Sequence, residues 1–307
     1  MKRYLLATAA AGFLMSAASG ASAQAIIVAE QSLTSTGSVL ESDQSSALNA
    51  TIKVEQAGAD SYVNVLQDSG SSAKVYVRQT DGIHDASARI TQIDGHADAR
   101  IDQDSGGAYA SGNAEIRQHF GGGEFDRNDA QIKQYGSEEG VFARIEQVGD
   151  TNAGRTMQAL AETGSESRIL QVGGSNYASA VQSLGLGHVE IRQGALGQNV
   201  YGNFTTAFSI GEGNTVGVYQ SGDNAHANVG QSGQGLTALV RQLDDSHVSI
   251  QQDGADNLID VTQTAHEASA LLHQVGVGNV MTLTQAQDGV SAELTQNGVN
   301  NVMTVVQ

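Results

Sequence analysis

Histidine, aspartate and serine are the residues of this chain whose chemistry could support catalysis or metal binding. The eight histidines, such as His84, His119, His188 and His266, are scattered without metal-type spacing. Serines occur without a Gly-x-Ser-x-Gly elbow or a partnered histidine, and the chain has no cysteine. Asp-Gly pairs lack the tandem nine-residue pattern of stacked calcium sites and fit turns better: Asp81-Gly82, Asp94-Gly95, Asp253-Gly254 and Asp288-Gly289. We therefore expect no enzyme activity, no cofactor and no metal site.

Glutamine and asparagine are the polar residues with a fixed spacing. Inward-facing amides are costly without partners, and coils stacked about 4.8 Å apart let identical side chains hydrogen-bond along the stack. The alternative, amides exposed on a low-complexity surface, is less favoured because the amides are in phase with the apolar positions. The predicted ladders are Asn257, Asn279 and Asn301; Gln252, Gln274 and Gln296; and Gln263, Gln285 and Gln307.

The residues before each glutamine indicate the element that positions it. Apolar residues lie two and four positions earlier, as Val261 and Ile259 do before Gln263. An eleven-residue period could belong to a helical supercoil, but an apolar period of two is typical of a strand. Glycine and asparagine between the strands favour tight turns. Because alternate units start differently, the full repeat is 22 residues, which predicts an all-β, two-sheet β-solenoid of stacked strand-turn-strand repeats.

The chain divides into three predicted regions. Residues 1–23 resemble a secretory signal peptide, with Lys2 and Arg3 before an apolar core and a small-residue cleavage site. Residues 24–49 are predicted to be a flexible leader, and residues 50–307 the repeat array. The array is degenerate around 194–213, where we expect the segment Phe204 to Ile210 to place Ile210 in the glutamine slot and two phenylalanines inward. No other stretch approaches the ~20 apolar residues of a membrane span.

Composition excludes some partners. The net charge is -18, and removal of Lys2 and Arg3 would make it more negative, so nucleic acid and anionic membranes are disfavoured. The absence of cysteine means that an exported chain is stabilised without disulfides. The absence of proline suits stacked strands, since proline removes a ladder hydrogen bond.

One segment carries a complete six-residue motif: Ser165, Gln171, Gly173, Asn176, Ala178 and Gln182. Its Gln-x-Gly-x-x-Asn core recurs at Gln147-Gly149-Asn152, Gln252-Gly254-Asn257, Gln274-Gly276-Asn279 and Gln296-Gly298-Asn301. This pattern resembles the curlin repeat of curli, the extracellular functional amyloid of biofilm bacteria. The resemblance extends over residues 50–307, although many units replace the leading serine and several replace the alanine. It implies that the motif glutamines and asparagines are the structural ladder residues.

The resemblance also implies a function. The chain would be a secreted structural subunit of a curli-like extracellular amyloid fibre on a Gram-negative-type bacterium, supporting surface adhesion and the biofilm matrix. Implied partners are further copies of the chain, a nucleator subunit and an outer-membrane export pore. Whether the chain is the major subunit or the nucleator stays open.

A monomeric cell-surface β-solenoid adhesin or binding protein is the alternative, and Thr282, Thr284 and Thr304 hint at a regular binding face. A β-helix lyase or hydrolase would need three strands per coil and a carboxylate cluster, so two strands per 22 residues disfavour it.

The C-terminal coils are predicted to be the most amyloidogenic part of the chain. No lysine or arginine follows Arg241, and the last strand is rich in valine. Middle units carry charged residues that disfavour pairing between chains. We therefore expect the C-terminal end to be a growth face of a fibre.

Overall fold

The computed structural model describes residues 4–8, 15–17, 26–31, 38–43, 50–57, 60–68, 73–80, 86–93, 96–104, 112–119, 127–136, 140–194 and 200–307. In these residues the regular structure is β-strand, and none of them belongs to a helix that could cross a membrane. The chain forms two compact units, Met1–Gly164 and Ser165–Gln307.

Strands β1 to β13 belong to the first unit and β14 to β27 to the second. Their bounds are β1 Tyr4–Thr8, β2 Met15–Ala17, β3 Ile26–Gln31, β4 Val39–Asp43, β5 Thr51–Gln56, β6 Tyr62–Asp68, β7 Lys74–Gln79, β8 Ser87–Ile93, β9 His96–Asp104, β10 Gly112–His119, β11 Arg127–Tyr135, β12 Val141–Asp150, β13 Ala153–Ala161, β14 Glu166–Gly174, β15 Tyr177–Gly185, β16 Gly187–Gln193, β17 Val200–Tyr201, β18 Phe204–Ile210, β19 Asn214–Gln220, β20 His226–Gln234, β21 Thr237–Gln242, β22 His247–Ala255, β23 Leu258–Gln263, β24 Ser269–Val277, β25 Val280–Gln285, β26 Ser291–Val299 and β27 Val302–Val306.

Within each unit, successive strands alternate between two parallel sheets. In the first unit, sheet A runs β1-β3-β5-β7-β9-β11-β13 and sheet B runs β2-β4-β6-β8-β10-β12. In the second unit, sheet A runs β15-β18-β20-β22-β24-β26 and sheet B runs β14-β16-β19-β21-β23-β25-β27, with β17 paired to β14 outside this order. One strand from each sheet makes a coil, so the predicted all-β, two-sheet β-solenoid is confirmed.

Strand register aligns glutamine with glutamine even where the repeat length varies. Gln242 pairs with Gln263 across β21 and β23, and Gln103 pairs with Gln134 across β9 and β11. Stacked glutamines lie 21 residues apart in the first case and 31 in the second. The additional residues lie between strands, so stacking survives departures from the 22-residue period.

The core lies between the two sheets of each unit. Alternate strand residues are buried, as Ile259, Val261 and Gln263 are in β23. Isoleucine provides most of the largest fully buried side chains, for example Ile145 and Ile191. β-Branched residues suit this position because they pack well on a pleated surface.

Strands β3 and β4 lie within residues 24–49, which were predicted to be a flexible leader. β3 and β4 pair in register with β5 and β6, and Gln31 aligns with Gln56. Strand pairing therefore starts before residue 50, because stacked neighbours supply backbone partners even to short strands such as β4, whose Leu40 is buried. The rest of the expected leader lies outside the described residues. Strands β1 and β2 fall in the expected signal peptide, whose removal stays a prediction.

The coil around 194–213, which was predicted to be irregular, stacks normally, but the residues that it buries differ from those predicted. β18 stacks in sheet A with Ser209 between Gln182 and Gln231. Thr205, Ala207 and Ser209 are buried. The expected inward phenylalanines and inward Ile210 are wrong, because neighbouring strands fix the phase and Ser209 takes the glutamine position. Phe204 and Phe208 are exposed by 39% and 45%, and residues 195–199 lie outside the described part of the chain.

Candidate functional site

Buried glutamines form hydrogen-bonded columns along both sheets. In sheet A of the second unit, Nε2 of Gln231 donates to Oε1 of Gln252 at 2.8 Å, Gln252 donates to Gln274 at 3.0 Å, and Gln274 donates to Gln296 at 2.8 Å. In sheet B the same bond joins Gln242, Gln263, Gln285 and Gln307. The predicted glutamines of the C-terminal stretch therefore lie together in two columns.

The second proton of each amide usually crosses to the opposite sheet. Nε2 of Gln263 also donates to the carbonyl of His247 at 3.2 Å, and Nε2 of Gln252 donates to the carbonyl of Thr237 at 3.1 Å. One side chain thus joins two coils and two sheets. Because these glutamines are almost completely buried, losing a partner would leave a desolvated polar group at a cost of about 1–3 kcal/mol.

The glutamine bonds within each unit share one direction. The Nε2 donor belongs to the earlier coil and the Oε1 acceptor to the later one, both for Gln56 with Gln79 and for Gln285 with Gln307. Within the described residues, Gln296 and Gln307 have no later glutamine stacked above them. Each column therefore runs with its donors on the earlier coil and its acceptors on the later coil.

The asparagines stack through the backbone rather than amide to amide. The backbone N–H of Asn279 donates to Oδ1 of Asn257 at 3.0 Å, and that of Asn301 donates to Oδ1 of Asn279 at 3.0 Å. Nδ2 of Asn257 donates to the carbonyl of Gly276 in the next coil at 2.9 Å. The expected amide ladder is therefore wrong for asparagine, because its shorter side chain at the turn reaches backbone groups first.

The motif glycine permits close stacking of these turns. Gly254 has a φ of 116°, and a Cβ there would lie 2.0 Å from the carbonyl oxygen of Gly276. Both the left-handed backbone and the close contact require glycine. Gln-x-Gly-x-x-Asn is thus a turn in which each residue type has a separate structural task.

The earlier motif residues occupy the same kinds of position. Gln147 accepts from Gln118 at 2.9 Å, and the backbone N–H of Asn152 donates to Oδ1 of Asn128 at 2.8 Å. In the second unit, Gln171 donates to Gln193 at 2.9 Å. Oδ1 of Asn176 accepts from the backbone of Asn203 at 3.1 Å, and Gln182 donates to the carbonyl of Glu166 at 2.8 Å.

Four further residues belong to this polar network and were not predicted from the sequence: Asn128, Asn203, Asn214 and Thr205. Nδ2 of Asn214 donates to the carbonyl of Gly233, and Oδ1 of Asn214 accepts from the backbone N–H of Leu236. Both partners lie in the next coil, where the chain passes from sheet A to sheet B. Thr205 accepts from Gln193 at 3.3 Å and donates to Oε1 of Gln220 at 2.8 Å. The three asparagines could have been found from the sequence, since each lies six residues before a glutamine position, as Asn257 does before Gln263. No sequence pattern identifies the threonine.

Outward-facing charges form ion pairs along and between strands. Arg192 donates to Oε1 of Glu190 at 2.6 Å, and the Tyr219 hydroxyl donates to Oε2 of Glu190 at 2.7 Å. Partial burial acts to raise the pKa of Glu190, but the hydrogen bonds from Tyr219 and Arg192 lower it overall. Hydrogen bonds from Tyr62 and Asn64 likewise lower the pKa of Glu41. These contacts reinforce strand stacking on the solvent side.

The described residues contain no group of three histidine, aspartate or glutamate side chains arranged to hold a metal ion. Among the described residues, the amide columns and the turns supply hydrogen-bond donors and acceptors. What this arrangement does chemically is to repeat the same hydrogen bonds from coil to coil. No protein-family model matches the chain, and no curated protein is significantly similar to it.

Proposed function

We propose that this chain is a secreted structural subunit of an extracellular amyloid fibre of the curlin type. The observation that carries the proposal is that successive coils of the second unit repeat the same hydrogen bonds and apolar positions in register, from β22 through β24 to β26. β26 pairs only with β24 and β27 only with β25 among the described strands. A strand with the same sequence pattern can therefore stack in register on such a coil.

The C-terminal coil lacks sequence features that commonly prevent association between sheets. Folded proteins protect sheet edges with lysine, proline, bulges or covering loops. Residues 291–307 contain neither lysine nor proline, while Val299, Val302 and Val306 are exposed by 63%, 74% and 74%. Amide groups and valines in the same coil favour stacking of a strand with the same sequence pattern.

The proposed partners and location follow from the curlin resemblance and the signal-peptide pattern. Further copies of the chain extend the fibre, a nucleator subunit starts it, and an outer-membrane pore exports it to the cell surface. There the fibre supports adhesion and the biofilm matrix.

The direct experiment follows purified residues 24–307 by thioflavin fluorescence, electron microscopy and fibre diffraction. We expect unbranched fibres with a reflection near ~4.8 Å, the spacing of neighbouring strands. A product that stays monomeric through prolonged incubation at high concentration, with and without preformed seeds, would contradict the proposal.

A monomeric cell-surface adhesin is the second candidate, supported by Thr282 and Thr304, which stack in register on sheet B of the second unit. This candidate predicts that the chain is a monomer in analytical ultracentrifugation and that this monomer binds cells. Binding that requires fibres would exclude this candidate.

A further inference from the structure

A groove of about 580 Å³ crosses the outer surface of sheet B in the second unit. It extends over five neighbouring strands, β14, β16, β19, β21 and β23, a distance of about 19 Å at the usual strand spacing. Along one side it is lined by the residues that immediately precede the column glutamines: Leu170, Arg192, Tyr219, Arg241 and Thr262. Ser221, Leu243 and Thr264 line the other side. The shape suits a long, narrow ligand lying across the strands.

Tyr219 forms an aromatic surface in this groove. A Cβ on Gly217 would lie 3.2 Å from Cε2 and 3.6 Å from the hydroxyl oxygen of Tyr219, so the ring occupies the space above the glycine. The hydroxyl is held by Glu190 on β16 at 2.7 Å, and Cζ of Arg192 lies 5.7 Å from the ring centroid. Tyr219 is therefore fixed before any ligand binds, which lowers the entropic cost of binding.

The groove has polar groups without a net charge. Arg192 is paired with Glu190 at 2.6 Å and Arg241 with Asp260 at 2.8 Å. Apart from these two, Arg168 is the only lysine or arginine between residues 165 and 307, whereas acidic residues are common there. A polyanion would be repelled by this surface, and a cation would find no uncompensated carboxylate in the groove itself.

We propose that the groove binds an uncharged, extended polysaccharide of β-linked hexoses, with one sugar ring seated on Tyr219. Such a ring has an apolar C–H face that packs on an aromatic side chain, and its equatorial hydroxyls donate and accept hydrogen bonds around the rim. The guanidinium groups of Arg192 and Arg241 supply donors, and the hydroxyls of Ser221, Thr262 and Thr264 supply both donors and acceptors. The site is complete within one chain, so it does not depend on fibre formation.

The test is calorimetric titration of the soluble mature chain with cellohexaose, before any thioflavin signal appears. Tyr219→Ala is expected to weaken binding at least fivefold. Gly217→Val, which displaces the ring by adding side-chain atoms beneath it, is expected to weaken binding similarly. Tyr219→Phe keeps the ring and loses only the bond to Glu190, so it should retain most of the affinity.

The matched control is Tyr201→Ala, which removes a tyrosine that is 52% exposed and does not line the groove. It should change affinity by less than twofold, and all variants should keep the β-sheet circular dichroism of the parent. Absence of cellohexaose binding, or equal affinity of parent and Tyr219→Ala, would overturn the proposal. Tighter binding of polygalacturonate than of cellohexaose would overturn the assignment to an uncharged chain. A protein that binds cellohexaose without forming fibres would refute the fibre proposal and leave this one standing.

Discussion

Single glutamines in this protein connect coils and sheets at once. Gln252 is fully buried, accepts from Gln231, and donates both to Gln274 and to the carbonyl of Thr237. Its neighbour Gln251 is exposed on the opposite face of the same strand. Both residues are glutamine, and they differ only in the face of the strand to which their side chains point.

Gln252→Ala is therefore expected to lower the free energy of unfolding by about 2–5 kcal/mol, since it leaves buried groups on both neighbouring coils unpaired. Gln251→Ala should change it by no more than about 0.5 kcal/mol. Urea unfolding of the soluble chain measures both. Equal destabilisation by the two changes would show that the column contributes nothing specific.

The ionisation of Glu190 on sheet B is expected to make the stability of the folded chain depend on pH. Because its pKa in the folded chain is below the usual 4.5, its contribution to stability is present above that value and is lost as the pH falls through the folded pKa. Glu190→Gln should destabilise the chain at pH 7 and make less difference near pH 3. Thermal unfolding from pH 7 to pH 3 tests this, with the exposed turn substitution Glu212→Gln as the control. A difference between parent and Glu190→Gln that does not vary with pH would contradict it.

At the scale of the element, the register of β18 is set by its neighbours rather than by its own sequence. Ser209 lies in the glutamine column of sheet A between Gln182 and Gln231. Serine is too short to continue the ladder, and Oε1 of Gln231 is buried without a hydrogen-bond partner in the described residues.

Ser209→Gln is expected to supply that donor and to raise the free energy of unfolding by about 1 kcal/mol. Ser232→Gln, an exposed position beside Gln231 on β20, should leave stability unchanged within about 0.5 kcal/mol. Chemical denaturation compares the two variants. A loss of stability in Ser209→Gln would mean that the core beside β18 has no room for the longer side chain.

The last strand tests the proposed growth face. Val305 stacks on Leu283 and is half-buried, whereas Thr304 is exposed. Val305→Lys would place a charge in the apolar stack, where unpaired burial is costly, and should slow fibre elongation at least tenfold. Thr304→Lys should have a much smaller effect. Seeded thioflavin kinetics that are the same for both variants and the parent would show that this end does not template growth.

At the scale of the whole molecule, the sequence predicts the features that recur in every coil. It does not predict contacts that depend on residues from different coils. The glutamine spacing and the period-two apolar pattern predict strands, turns and columns, because stacking reproduces one local rule many times. The backbone bonds of Asn257 and Asn279 could not be predicted, since they depend on how closely two turns approach. Neither could the groove, where Tyr219 meets Glu190 from a strand 29 residues earlier. The prediction of which β18 residues face inward was wrong for the same reason. The sequence of β18 is compatible with either face pointing inward, and the pairing with neighbouring coils determines which one does.

The shared direction of the glutamine bonds has an electrical consequence. Each primary amide carries a dipole, and in each unit the columns align these dipoles in parallel, much as peptide dipoles add along a helix. The late end of a column therefore carries partial positive charge on its N–H groups, and the early end carries partial negative charge on its oxygens. Copies joined late end to early end would continue the polarisation, while copies joined through two like ends would oppose donor to donor or acceptor to acceptor. A filament built in this way would be a polar polymer, and its two tips would differ in their electrostatic potential.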